Sequence, residues 1–205
     1  LRINEVDDPP AAFDLFYPSN NDTIPSLKPN FSWGDSADPD PGGSIAYAVY
    51  YSTAPDFSVS LSSAGLADNS FKPAVNLLDN VVYYWKVRAD DLSANQAWSN
   101  QTGWKFATNL VNEQPGNFNL LSPADLSTVK TVRPAFQWQD AVDPDPLDTD
   151  TYLIEYSQDR TFPAGATFAA PASTSNFTPL ADLADESTYF WRVKATDGFG
   201  AVKMC

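Results

Sequence analysis

The sequence has no histidine, one cysteine, one methionine, nine glycines and only four glutamates in 205 residues. Without histidine, and with its lone thiol at Cys205, the chain lacks the usual base and nucleophile pairings of acyl-transfer and thiol chemistry. A single cysteine also permits no disulfide within the chain, so stability must come from packing. No apolar run approaches the roughly 18 residues of a membrane-spanning helix, and the opening residues carry no signal-peptide pattern. Glutamate is scarce but aspartate is plentiful, at twenty-two residues. Aspartate suits turns and strand ends whereas glutamate suits helix interiors, so the imbalance points to a chain of strands. The net charge is −14, which repels phosphate backbones and anionic headgroups. Neither nucleic acid nor membrane insertion is therefore expected.

What the chain has in abundance is aromatic residues, 14% of the total, and they repeat. Phe13, Pro18, Pro29, Phe31, Trp33 and Tyr51 recur 105 positions later as Phe118, Pro123, Pro134, Phe136, Trp138 and Tyr156. From Phe71 and Phe177 onward the offset is 106, so one residue has been inserted in the loop between. The second half of each copy carries Leu-x5-Tyr-x-Trp-x-Val-x-Ala, at Leu77 to Ala89 and at Leu183 to Ala195. Its period of two predicts a strand with one face buried, preceded by a turn. Seventeen prolines between short alternations predict many short strands.

The expected strands of the first copy are A (Phe13 to Tyr17), B (Pro29 to Gly34), C (Ile45 to Thr53), a short C′ at Phe57, E (Ser70 to Val75), F (Tyr83 to Ala89) and G (Gly103 to Thr108). On strand C, Tyr47, Val49 and Tyr51 match Tyr152, Ile154 and Tyr156, while Tyr50 becomes Glu155. A glutamate is costly to bury without a partner, so the Tyr-Val-Tyr face is the inner one. The tyrosine opening strand F is placed for a corner, its ring inside and its hydroxyl bonded to backbone a few residues upstream.

Seven strands per hundred residues, Pro29-x-Phe31-x-Trp33, Tyr47-x-Val49-x-Tyr51 and the Leu-to-Tyr corner together resemble a fibronectin type III module of the kind found in tandem in bacterial exported and cell-surface proteins. The resemblance implies an all-β fold of two tandem immunoglobulin-like sandwiches. It divides the chain into the end of a preceding module or linker at 1–9, module 1 at 10–109, a linker at 110–115 and module 2 at 116–205. Leu1 and Ile3 would be the last strand residues of that preceding module. The repeat places strand G of module 2 past Cys205, leaving strand F with an open edge that could pair with another copy. In the alternative, Ala201 to Cys205 turns back after Gly198 and Gly200 as a curtailed G.

The fold implies little about activity. The Asp-rich loops at Asp35, Asp38 and Asp40, and at Asp140, Asp143, Asp145, Asp148 and Asp150, supply oxygens of the kind Ca²⁺ prefers. Asp-Pro pairs also form stiff turns without a complete ligand set, so no metal is expected. Trp104 alternates with Phe106 and reads as core. Trp98, in the loop after Ser93, and the outward Tyr50 are the two rings that could stack on a sugar. The Asn-x-Ser/Thr triplets at Asn21, Asn30, Asn100 and Asn176 carry little weight, and no Arg-Gly-Asp occurs in either F–G loop. With no nucleophile elbow, phosphate loop or walled pair of carboxylates, no catalytic, cofactor or metal residues are assigned and no enzyme is expected. The resulting expectation is an extracellular or cell-surface segment that spaces, orients or adheres. It would be monomeric in a larger protein, with a protein or glycan partner unidentified. The alternative is an accessory binding segment of a secreted hydrolase.

Overall fold

The computed structural model describes residues 6–40, 42–91 and 93–205. Leu1 and Ile3, expected as the end of a preceding strand, lie outside the described residues. All regular elements among the described residues are strands, and none of them is a helix of membrane-spanning length and apolarity. Contacts divide the chain into unit 1, Leu1–Val111, and unit 2, Asn112–Cys205.

Unit 1 contains β1 (Leu15–Tyr17), β2 (Asp22–Ile24), β3 (Phe31–Trp33), β4 (Ala46–Ser52), β5 (Leu61–Leu66), β6 (Ser70–Phe71), β7 (Val81–Asp90), β8 (Gln96–Trp98) and β9 (Lys105–Thr108). One sheet runs β1-β3-β6 and the other β2-β9-β7-β4-β5, with β8 on the edge of β7 beside β9. Unit 2 contains β10 (Leu120–Ser122), β11 (Phe136–Trp138), β12 (Thr151–Ser157), β13 (Phe168–Ala172), β14 (Asn176–Phe177), β15 (Phe190–Thr196) and β16 (Val202–Met204). Its sheets run β10-β11-β14 and β13-β12-β15-β16.

Each core forms where the period-two faces of the two sheets meet. Phe31, Trp33, Tyr47, Val49, Tyr51, Tyr83, Trp85, Val87 and Phe106 are buried together in unit 1, and Phe136, Trp138, Tyr152, Ile154, Tyr156 and Val193 in unit 2. A buried aromatic of this size removes about 150–250 Å² from water, a gross gain of roughly 4–6 kcal/mol before ordering entropy is subtracted. The rings meet edge to face, as Trp33 on Tyr47 and Trp138 on Tyr152 do, at 5.5 and 5.6 Å with the same 63° tilt. Those tyrosines also tie down the B–C loops: Tyr47 Oη accepts the Ser36 N–H, and Tyr152 Oη the Ala141 N–H.

The corner tyrosines behave as the spacing predicts. Leu78 N–H donates to Tyr83 Oη at 3.0 Å, and Ala184 N–H to Tyr189 Oη at 3.1 Å, each five residues upstream. The repetition extends to the backbone, with cis peptides before Pro18 and Pro123 and left-handed residues at Asn21 and Leu126, Phe57 and Phe162, Asn80 and Glu186.

Two expectations need correction. Phe57 is not on a strand: it sits in a turn at φ 56°, and the strand that pairs with β4 is β5, which begins only at Leu61. Trp98 lies on β8 rather than in a loop, opposite Arg88 of β7. It also has a counterpart in unit 2, because β16 pairs with β15 as β8 pairs with β7 and sets Met204 opposite Lys194. Cys205 then takes the place of Ser99, its N–H donating to Val193 O at 3.1 Å as Ser99 N–H donates to Val87 O at 2.9 Å.

The tail after Gly200 therefore does turn back onto strand F. It reproduces β8, and among the described residues no strand of unit 2 matches β9. The effect on the neighbouring strands is direct. β7 begins at Val81, where it meets Thr108 of β9, whereas β15 begins only at Phe190 and the equivalents of Val81 to Tyr83 are not strand. Among the described residues β2 pairs only with β9, in parallel, and its equivalent at 127–129 is not strand either. Ile24 is 2% exposed and its equivalent Val129 44%.

Candidate functional site

Two groups of side chains outside the cores could carry chemistry. The first is built in unit 2 from the B–C loop and the turn after strand F. Strand β15 ends at Thr196, and Asp197 accepts the Phe199 and Ala201 N–H groups on one oxygen and the Asn112 amide on the other. Across from it the loop folds on its own aspartates: Asp143 Oδ1 accepts the Asp145 N–H, Asp145 Oδ2 accepts the Glu113 N–H, and Asp148 Oδ1 accepts those of Thr149 and Gly198. These bonds draw oxygens of Asp143, Asp148 and Asp197 to within 4.8 Å of one another. The stiff Asp-Pro turns thus bring these acids together.

The electrostatic cost falls mainly on Asp150. Burial, and then the charges of Asp143, Asp148 and Asp197, push its carboxyl up to about 6, and its Oδ1 is buried with no hydrogen-bond partner. Asp143 is raised for the same reasons, burial first, although the Asp145 N–H works against it. Asp197 is pulled below its usual range: burial would raise it, but the Asn112 amide and the N–H groups of Ala201, Phe199 and Gly200 outweigh that. Unit 1 has no such cluster at the matching positions, because Gly43 and Ile45 stand where unit 2 has Asp148 and Asp150. Three converging carboxylates could share a hard cation, but most of their oxygens already accept protein N–H groups, whereas Ca²⁺ takes six to eight oxygens. Two cavities of unit 2, of about 530 and 570 Å³, are lined by residues around Tyr189 and around Leu153, and none of these four aspartates lines either.

The second group lies on the outer face of the large sheet of unit 1. Alternation on β7 turns Lys86 and Arg88 away from the core, beside Tyr50 of β4 and Trp98 of β8. The Trp98 ring, 43% exposed, stands 5.4 Å from Tyr50, so the two rings singled out in the sequence are neighbours. Lys86 Nζ lies 4.2 Å from the Phe57 ring centre and 4.5 Å from that of Trp98, and the Arg88 guanidinium 5.8 and 5.7 Å from Tyr50 and Trp98. Arg88 also pairs with Asp90 at 2.8 Å. The cations were missed in the sequence, although period two on strand F already put Lys86 and Arg88 on the outer face with Tyr50. Trp104, by contrast, packs on the core 6.2 Å from Trp85, as its spacing predicts.

No family model matches the chain. No curated protein matches it either. Among solved structures, the α-L-rhamnosidase from Dictyoglumus thermophilum is similar over 97% of this chain and 29% of its own length, at 15% identity and a TM-score of 0.44.

Proposed function

We propose that the chain is a pair of non-catalytic fibronectin type III-like modules of a larger secreted or cell-surface protein, serving to space, orient or adhere. The observation supporting this reading is the repetition of a self-contained core. Each unit encloses its own aromatic cluster under its own corner tyrosine, while its acids are spent on turning loops. Such a unit holds its shape whatever its neighbours do, which suits a part used for position rather than for chemistry. The acidic surface keeps nucleic acid and anionic lipid away. The test is replacement of both units in the parent protein by an unrelated pair of sandwiches of equal span. The spacer reading expects adhesion or display on intact cells to survive this exchange but to fail on simple deletion. Loss on exchange would defeat it.

A second reading, an accessory glycan- or protein-binding segment of a secreted hydrolase, is favoured by one observation, the exposed Trp98 beside Tyr50 and two cations. A glycan array probed with the chain and with Trp98→Ala separates the two. Specific binding lost on Trp98→Ala supports the second reading, and an empty array removes its glycan form.

A further inference from the structure

The outer face of the large sheet balances its charge in unit 2 and leaves it open in unit 1. In unit 1 the pairing of β4, β7 and β8 sets Tyr50 opposite Lys86 and Trp98 opposite Arg88. In unit 2 the residue opposite Arg192 is Glu155, and the two close an ion pair at 2.6 Å. Lys86 and Arg192 hold equivalent places, each 4.2 Å from the centre of a turn aromatic, Phe57 and Phe162. One copy of the repeat thus supplies this cation with a carboxylate that the other withholds. The chain has 26 acids against 12 bases, yet among the described residues no acid pairs with Lys86. Arg88 does have one, Asp90 at 2.8 Å. Beside the unbalanced ammonium stand two rings: Trp98 is 43% exposed, with its centre 4.5 Å from Lys86 Nζ and 5.4 Å from the half-buried Tyr50 ring. Unit 2 has neither ring, since Met204 and Glu155 stand in their places.

We propose, resting on the glycan form of the second reading above, that this face of unit 1 binds a hexuronate residue of an acidic polysaccharide. The pyranose lays its C–H face against Trp98, with Tyr50 beside it, and its carboxylate takes at Lys86 the place that Glu155 holds at Arg192. A cation flanked by ring surface selects a ligand that carries an anionic group and an apolar face together. A hexuronate has both in one ring, whereas a neutral sugar lacks the charge and an acidic side chain lacks the face. The net charge of −14 repels polyanions at a distance. In about 0.15 M salt, however, a charge is felt over only about 8 Å, so the site answers to its own cations.

Of the six tryptophans only Trp98 belongs to this face, the other five packing in or against the two cores. Its indole N–H resonance, assigned by its loss in Trp98→Phe, therefore reports the site alone. The intact chain is titrated with hexamers of galacturonate and of mannuronate. The controls are the fully methyl-esterified galacturonate hexamer, which keeps the rings and loses the charge, and hexaglutamate, which does the reverse. The expected result is a saturable Trp98 shift with a uronate, binding of the ester weaker by roughly tenfold or more, and no shift with hexaglutamate. By calorimetry, Lys86→Gln should weaken uronate binding roughly tenfold and leave ester binding unchanged, while Trp98→Ala should abolish both. Tyr50→Glu, which gives unit 1 the carboxylate of unit 2, should weaken uronate binding at least as much as Lys86→Gln does. Unchanged indole signals of the enclosed Trp33 and Trp85 show that each variant is folded. Equal binding of acid and ester would overturn the acidic-sugar assignment and leave the glycan reading standing. A shift with hexaglutamate as large as with the uronates would overturn it in favour of an acidic peptide. It also fails if uronate binding survives Lys86→Gln and Tyr50→Glu undiminished. If neither uronate moves the Trp98 signal at millimolar concentration it is wrong, and the glycan array then decides the glycan reading by itself.

Discussion

The two units build one frame and finish its outer surface differently. On the large sheet of unit 1, Lys86 sits between Phe57 and Trp98, and Arg88 beside Tyr50 and Trp98. In unit 2, Arg192 keeps its place over the turn aromatic, 4.2 Å from Phe162, but its other partner is Glu155 at 2.6 Å, where unit 1 has Tyr50. Both faces set a cation over a turn aromatic, but the residue opposite it is a ring in unit 1 and a carboxylate in unit 2. A second exchange goes further inward: Ile45 packs against the core of unit 1, while Asp150 occupies the same position in unit 2 among three other carboxylates. The repeat therefore tolerates a change from apolar to acidic beside the core, provided the fold around it absorbs the charge. Identity is kept at the inward rings and freely given up one layer out.

The largest expected effect tests whether the inner frames are truly equivalent. Trp33→Ala and Trp138→Ala should each cost about 3–5 kcal/mol through the cavity left, because both side chains are fully enclosed. Denaturant titration following each unit's transition checks this. A markedly smaller cost at Trp138 would mean that the loosened edge of unit 2 extends into its core.

Next come the corners, where the units should differ. Tyr83→Phe removes the acceptor for a part-buried Leu78 N–H and should cost about 1–3 kcal/mol. Tyr189→Phe leaves the exposed Ala184 N–H open to water and should cost less than about 1 kcal/mol. Equal losses at the two sites would erase the distinction, and a neutral Tyr83→Phe would remove the corner from the account of unit 1.

The acid at position 150 gives a smaller, pH-dependent difference. Its carboxyl is raised in the folded chain to about 6 from an ordinary 3.8. Folding therefore favours the protonated form. That contribution is complete below the ordinary value and disappears as pH rises through about 6, so unit 2 should lose stability across this window while unit 1 does not. After allowance for solvent screening the loss is about 1 kcal/mol. The lowered Asp197 acts oppositely, but only below its ordinary range. Melting profiles at pH about 4.5 and about 7.5 should separate for unit 2, and Asp150→Ile, the residue of unit 1, should bring them closer together, the raised Asp143 keeping a smaller slope of the same sign. An undiminished pH slope in that variant would assign the effect elsewhere.

The smallest effect is expected from calcium. With most of their oxygens engaged by N–H donors, Asp143, Asp148 and Asp197 should give no melting shift in about 1 mM Ca²⁺, whereas a ligand at a hundred times its dissociation constant would add about 2.7 kcal/mol. A rise confined to unit 2 and removed by Asp148→Asn would establish a metal centre there.

Much of this was legible in the sequence because burial imposes a period. The inner faces of strands B, C and F, the corner hydroxyls and the outward turn of Tyr50 all follow from alternation checked against the second copy. What escaped was set by partners rather than by period. Leu61–Leu66 carries two serines and a glycine and reads as loop, yet it becomes a strand because β4 offers it an edge. Asp22–Ile24 is a strand only because β9 lies beside it. The carboxylate cluster was missed because it joins a loop to Asp197, some fifty residues on, through backbone donors that leave no mark in residue spacing.

The parallel contact between β2 and β9 has a mechanical consequence. In unit 1 one strand lies near the start of the sandwich and the other at its end, so tension applied to the chain loads their three residue pairs in shear, where the bonds must fail together. Among the described residues of unit 2 the last strand is β16, which is antiparallel to β15, and such a pair peels from its end one bond at a time. Drawn from both ends in an optical trap, the chain should yield first in unit 2, at the lower force, and unit 1 should hold until the clasp slides. A first rupture of the length expected for unit 1 would show that the clasp bears no load.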